Sequence, residues 1–234
     1  MSEAEVDGPE VDGPEMFEAK PFRVEVAIEA PREVVWPMLT EPEQIRQWFG
    51  WEYAGLAEEI DHIFVEHADQ FPPDRIALEV GQELQVEAGE GRSMVRAVMP
   101  GVLDDPEVSE SYDGLEEGWR SFFEQLRYLL ERRPEGPRHT VYLSGRATGP
   151  KLVEVVERAG VKESWHESRY QRIVVDPLGH LVVATAQEPI DSDTVSTVTL
   201  TVNTWGLTDE ELTELRARWV ERVGGVLAEL EVAE

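Results

Sequence analysis

A period of two runs from Phe22 to Ile28, with Phe22, Val24, Val26 and Ile28 on one side and Arg23, Glu25 and Ala27 on the other. β-Branched residues at that period predict a half-buried strand. Ala30-Pro31 ends it, because proline lacks the N–H that a ladder needs. From Arg32 the period changes. Val35, Trp36 and Leu39 fall three and four apart, as on one helix face, and Pro37 is tolerated in the first turns. Pro42 then opens a second short helix, with Thr40 or Glu41 as its cap. Its apolar face is Ile45, Trp48 and Phe49, and Gly50 ends it.

The aromatic stretch Trp51–Leu56 follows. In Glu58–Ala68, Ile60, Ile63, Phe64 and His67 stand at helical spacing, although Ile63, Val65 and His67 also alternate; the spacing predicts a helix, with a strand as the competing reading. Ile76–Val80, Glu83–Ala88 and Arg92–Met99 read as strands, separated by Gly81-Gln82 and by the hairpin signal Gly89-Glu90-Gly91. Asp104-Asp105-Pro106 is a loop. Leu115–Arg133 is a long helix with Trp119, Phe122, Phe123, Leu126, Leu129 and Leu130 as its inner face.

Arg132–Pro137 has the composition of a linker, and the pattern then starts again. Thr140–Leu143 reads as a strand, Ser144-Gly145 as a turn and Pro150–Ala159 as a helix. Tyr170–Val175 and His180–Ala186 flank the turn Asp176-Pro177-Leu178-Gly179, and Val195–Thr204 alternates Val198, Leu200 and Val202 with threonines. Thr208 and Glu211 form a capping box for a last helix. Its predicted stripe is Leu212, Leu215, Trp219, Val223, Val226 and Leu230. Both halves therefore run strand, helix, strands, long helix, with Trp119 and Trp219 at comparable places. This predicts an α+β fold that is a degenerate tandem of two units, although the order is common among α+β domains. The boundaries read as an acidic disordered tail over residues 1–20, a first domain over 21–133, a linker over 134–138 and a smaller second domain over 139–234. VDGPE stands twice in tandem in the tail and can bury nothing.

Some of these residues carry a family likeness. The corner Ile28-Glu29-Ala30-Pro31, the helix residues Val34-Val35-Trp36 with Leu39-Thr40, Pro42, and Gln47-Trp48-Phe49 resemble the opening of the START/Bet v 1-like (SRPBCC) superfamily. They are similar to its Hsp90 ATPase activator branch. Tyr112–Trp119, followed by Leu126 and Leu130, resembles that branch's closing helix. The likeness spans about Phe22–Arg133. It implies a helix-grip fold, an antiparallel sheet wrapped on a long C-terminal helix over an apolar cavity. The candidate lining residues are Trp36, Trp48, Phe49, Met94, Arg96, Trp119, Phe122, Phe123 and Leu126. Trp51, Tyr53 and Met99 belong to the same aromatic and methionine-bearing set, and Arg92, Arg96 and Tyr128 are the candidate polar anchors. Only three or four strands are legible between the second helix and the closing helix, few for a sheet of ordinary size, so a small, open or absent cavity is expected. The implied function is non-catalytic binding of an apolar small molecule. The alternatives are a co-chaperone-like protein-interaction module with an acidic contact surface, and an enzyme of the cyclase or hydrolase kind.

Composition narrows the partners. The 234 residues include 49 acidic and 21 basic ones, for a net charge of −28. Nucleic acid and anionic membrane surfaces both need a cationic footprint that this chain lacks. There is no cysteine, hence no thiolate chemistry or cysteine-based metal site. No apolar run is long enough to span a membrane, and no signal peptide is legible; a cytoplasmic location is expected. Glu59-x-x-His62 and Glu163-x-x-His166 match a metal-ligand spacing, but so glutamate-rich a chain produces such matches by composition, and neither a metal nor a cofactor is expected. His62 and His67 read as surface or satisfied core histidines. No phosphate-loop, dinucleotide or serine-hydrolase motif is present. Ser144–Gly149 precedes a helix, where a phosphate site is conceivable, and reads as a turn.

Overall fold

The computed structural model describes residues 20–101 and 111–233. The tail and the Asp104-Asp105-Pro106 loop lie outside them, except for Lys20. Its ammonium donates to the Ser111 carbonyl at 2.8 Å and pairs with Glu116 at 3.0 Å.

The first sheet contains β1 (Phe22–Ile28), β2 (Asp69–Phe71), β3 (Arg75–Ala77), β4 (Glu83–Ala88) and β5 (Ser93–Met99), in the order β1-β5-β4-β3-β2. All its pairings are antiparallel. Between β1 and β2 lie α1 (Arg32–Thr40), α2 (Pro42–Ile45), α3 (Leu56–Asp61) and a π-helical turn, His62–Glu66. After β5 comes α4 (Gly114–Arg132), started by Asp113, whose carboxylate accepts from the N–H groups of Leu115 and Glu116.

The second sheet contains β6 (Arg138–Ala147), β7 (Glu163–Glu167), β8 (Gln171–Val175), β9 (Leu181–Ala186), β10 (Ser196–Trp205) and β11 (Ala228–Val232), in the order β11-β6-β10-β9-β8-β7. The helix α5 (Gly149–Ala159) follows β6, and α6 (Asp209–Val223) follows β10. Apart from β11 the two sheets share one topology: an opening strand pairs with the last strand of a four-stranded meander, and a long helix follows. The chain is thus α+β, with two helix-grip-like units in tandem.

Burial explains how the units stack. Alternate residues of β1, β4 and β5 pack with α1, α2, α3 and the Trp119, Phe123 and Leu126 stripe of α4 in one core. Val141, Leu143, Val182, Ala184, Val198, Leu200 and Val202 pack with α5 and α6 in a second. The other face of the second sheet meets the far side of α4. There Tyr128 packs with Trp165, Ile173, Val175, Leu181 and Val183. The Tyr128 ring stacks on Trp205 at 5.3 Å, and its hydroxyl donates to the Gly179 carbonyl at 2.5 Å. Gln171 Nε2 donates to the Glu117 carbonyl at 2.6 Å. The sequence marks one apolar stripe on α4, yet the helix is buried on two sides. Its second stripe, Glu117, Glu124, Gln125 and Tyr128, is polar and so escapes a periodicity search.

Several expectations are corrected. Ser144-Gly145 is not a turn, because β6 runs through it. Gly145 is required there for a different reason: a Cβ would lie 2.8 Å from the Ala228 carbonyl oxygen of β11. The last helix stops at Val223 and Gly224 caps it, so Val226 and Leu230 are not on it; Leu230 belongs to β11. Ile76–Val80 is a short strand followed by a 3₁₀ turn, Glu79–Gly81. Glu58–Ala68 is helical only to Glu66. β2, β7 and β11 are additional strands. β2 is exposed throughout, and β7 buries only Trp165 fully, so neither shows the alternation of a half-buried strand. Trp119 lies in the second turn of its helix and Trp219 towards the end of its own, so the two are not equivalent. The start of α5 is not a phosphate site. A Cβ on Gly149 would lie 2.2 Å from the Ile190 carbonyl oxygen, so that chain already covers the helix end.

Candidate binding cleft

The loop Phe49–Tyr53 brings the two units together. Its anchor is Arg138, the first residue of β6 and 6 % exposed. The guanidinium donates to the carbonyls of Phe49 (2.9 Å), Gly50 (2.6 Å) and Arg46 (3.3 Å), to Gln125 Oε1 (2.8 Å) and to Asn203 Oδ1 (2.7 Å). Burial pulls its pKa down to about 9, so it stays charged at neutral pH. Beside it, Glu52 exchanges hydrogen bonds with Thr140, and Trp51 stacks on Tyr142 of β6 at 4.1 Å.

This loop forms one wall of a cavity of about 440 Å³. The opposite wall is the N-terminal half of α4, with Gly114, Leu115, Gly118, Trp119 and Phe122. The rings of Phe49 and Phe122 stand 4.7 Å apart, and Trp119 lies 6.2 Å from each. Ile63 of the π turn and Leu78 complete the apolar lining. Gly114 and Gly118, one helical turn apart, present no side chain to it.

The polar groups gather at defined points. Trp119 Nε1 donates to Gln82 Oε1 at 2.8 Å, which fixes the orientation of that amide. Tyr53 donates to Glu59 at 2.7 Å. Burial first, and then that carboxylate, push the phenol up to about 12, so it remains a donor. His67 and Glu79 face each other at 3.4 Å.

Around Gly114 and Gly118 the cavity adjoins a second cleft of about 310 Å³, which shares Gly50, Trp51 and Phe122 with it. Its floor is the second sheet, with Thr185 of β9 and Thr197, Thr199 and Thr201 of β10. Glu117 borders it, 6 % exposed and with Oε2 unbonded. Burial raises the Glu117 pKa, and Arg120 opposes the rise. Tyr112 and Tyr142 also line this cleft, and burial raises both phenols.

The raised carboxyl has a sign that can be worked out. The folded chain holds a proton at Glu117 that the unfolded chain releases above the ordinary value of 4.5, so this group costs stability as the pH climbs through that range. Glu117→Gln is expected to be more stable than the parent at neutral pH by roughly 1 kcal/mol, because the amide carries no charge to be buried. The advantage should shrink towards about pH 4. Urea titrations across that range check it; a difference independent of pH would mean that Glu117 does not titrate.

Of the sequence-derived lining residues, Phe49, Trp119 and Phe122 meet at the cavity. Trp48, Phe123 and Leu126 lie behind it, fully buried in the first core. Trp36 is half-buried at the edge of that core. Met94 and Arg96 do not join them. They alternate with the buried Val95 and Ala97 and so fall on the outer face of β5, where Arg96 bonds Glu25 and Glu87. Arg92 is exposed. Tyr128 anchors the two units instead of a ligand. Trp51 and Tyr53 do reach the cavity, and Met99 is in the core. Gln82, Leu78 and the glycines of α4 were not legible as site residues; the four-residue spacing of Gly114 and Gly118 was the available signal.

The fold and cleft define a tandem α+β protein with an aromatic chamber beside a hydroxyl-lined one. Among solved structures, the chain is similar to DynU16, from the dynemicin biosynthetic locus, at 19% identity over 87% of this chain and 94% of that one, with a TM-score of 0.32. It is also similar to the di-domain ARO/CYC StfQ of the steffimycin biosynthetic pathway, at 12% identity over 87% and 93%, again with a TM-score of 0.32. No protein-family model and no curated protein matches the chain. The likeness to the Hsp90 ATPase activator branch therefore rests on the quoted motifs alone. Among the described residues, no helix is long and apolar enough to cross a membrane.

Proposed function

We propose that this chain binds a flat, largely apolar small molecule between Phe49, Trp119 and Phe122, with a polar edge turned towards Gln82 or the threonines of the second sheet. The observation that carries this reading is the cavity itself. It is of ligand size, its walls are mainly aromatic, and a few oriented polar groups stand at its rim, the usual make-up of a small-molecule site. An enzymatic reading is supported by one feature only, the buried Glu117 carboxyl in the adjoining cleft, which is suited to proton donation.

The test uses native mass spectrometry of protein isolated gently from its own cells, together with Trp fluorescence titration against a panel of polycyclic aromatic compounds. The parent chain is expected to retain a compound or to bind members of the panel saturably. Gly118→Leu should abolish both, because a Cβ there meets only the Phe122 ring, at 3.7 Å, and the longer side chain enters the cavity. A bare parent mass with no saturable binding, or binding unchanged in Gly118→Leu, overturns the proposal.

A further inference from the structure

We propose that His62, Glu66 and His67, with Glu79 as a fourth donor, form a binding site for a divalent transition metal of the zinc class at the mouth of the aromatic cavity. In an ordinary α-helix, residues five apart point about 140° away from each other. Here the helix widens after Asp61. The His67 N–H bonds the His62 carbonyl at 3.1 Å, closing an i to i+5 turn, and such turns recur at functional sites. The two imidazoles consequently meet, with ring centroids 4.2 Å apart. Glu66, one turn on from His62, brings a carboxylate oxygen to 3.6 Å from His62 Nδ1. One ligand atom from each of the three residues lies within 4.8 Å of the others. Donors on bonds of about 2.0–2.1 Å stand roughly 3.4 Å apart around a tetrahedral ion, and these side chains are exposed enough to rotate that far.

The second observation concerns orientation. His67 Nδ1 lies 3.1 Å from the His62 carbonyl oxygen. A carbonyl only accepts, so Nδ1 carries a hydrogen, and the opposite nitrogen, Nε2, is turned to Glu79 Oε1 at 3.4 Å. A ring N–H held by a backbone carbonyl is how metal-ligating histidines are oriented. Two imidazoles with carboxylates favour zinc-class ions over magnesium or calcium. This site stands on its own geometry and does not depend on the ligand reading. His67 and Glu79 also line the cavity, so an ion held there would face whatever the cavity takes.

The test is equilibrium dialysis of the full chain against micromolar ZnCl₂ with excess Mg²⁺, which occupies non-specific acidic surface. Bound zinc is counted by atomic emission. One zinc per chain is expected, with affinity reduced roughly tenfold or more in His62→Ala and in His67→Ala and unchanged in His166→Ala. His67→Gln keeps a side-chain donor for the His62 carbonyl but loses the imidazole ligand, and it should lose affinity to a similar extent while retaining the parent circular dichroism. Absence of stoichiometric zinc in the presence of Mg²⁺, or equal binding by the parent and the His62 and His67 variants, overturns the proposal.

Discussion

Arg138→Met is expected to lower stability by about 3–5 kcal/mol, a loss typical of breaking a buried charged network. The guanidinium is the single donor group that the Arg46, Phe49 and Gly50 carbonyls share with Gln125 and Asn203. The Arg46 carbonyl caps α2, and those of Phe49 and Gly50 lie in the turn that follows it. Methionine has similar bulk and no N–H, so the acceptors would be stranded in the interior at about 1–3 kcal/mol each where water cannot replace the arginine. Urea unfolding followed by Trp fluorescence measures the loss. A change under about 1 kcal/mol would mean that water enters and takes over the bonds. The same variant frees the Phe49–Tyr53 loop, so binding in the cavity should weaken as well.

Trp48→Ala should cost a comparable 3–5 kcal/mol but act differently on the cleft. Trp48 is fully buried, its Nε1 donates to the Met38 carbonyl at 2.7 Å, and its ring touches those of Phe49, Phe64 and Phe123. It does not line the cavity. Denaturant midpoints should fall steeply while affinity for a bound aromatic stays close to that of the parent. An affinity loss without a stability loss would make Trp48 a cavity residue and not a core one.

The legible parts of this fold are those in which burial imposes a period. β1, α1 and the inner stripe of α4 follow directly from Phe22, Val35 and Trp119 and their neighbours. The capping box at Thr208 and Glu211 fixes the start of α6, and both predicted bonds are present. The end of α6 was marked as well, by Gly224-Gly225, but Val226 and Leu230 happen to continue its spacing. The contacts between the units were not legible, because they are made by polar residues whose partners lie far along the chain: Arg138 with Gly50, Gln171 with Glu117, Tyr128 with Gly179. The candidate cleft was half legible for a related reason. Its aromatic wall shows in composition, whereas its other surface comes from Gln82 in a turn, from two glycines and from threonines that read as ordinary strand positions. The meeting of His62 and His67 depends on a π-helical turn, to which no sequence period corresponds.

Because α4 is held from both sides, it cannot move alone. Its front lines the aromatic chamber, while its back is tied to the tip of the β8–β9 hairpin by Tyr128 and to β8 by Gln171. A guest that displaced the α4 backbone would strain those two bonds. The second unit is therefore a brace for one wall of the first unit's cavity and not a spare copy of it.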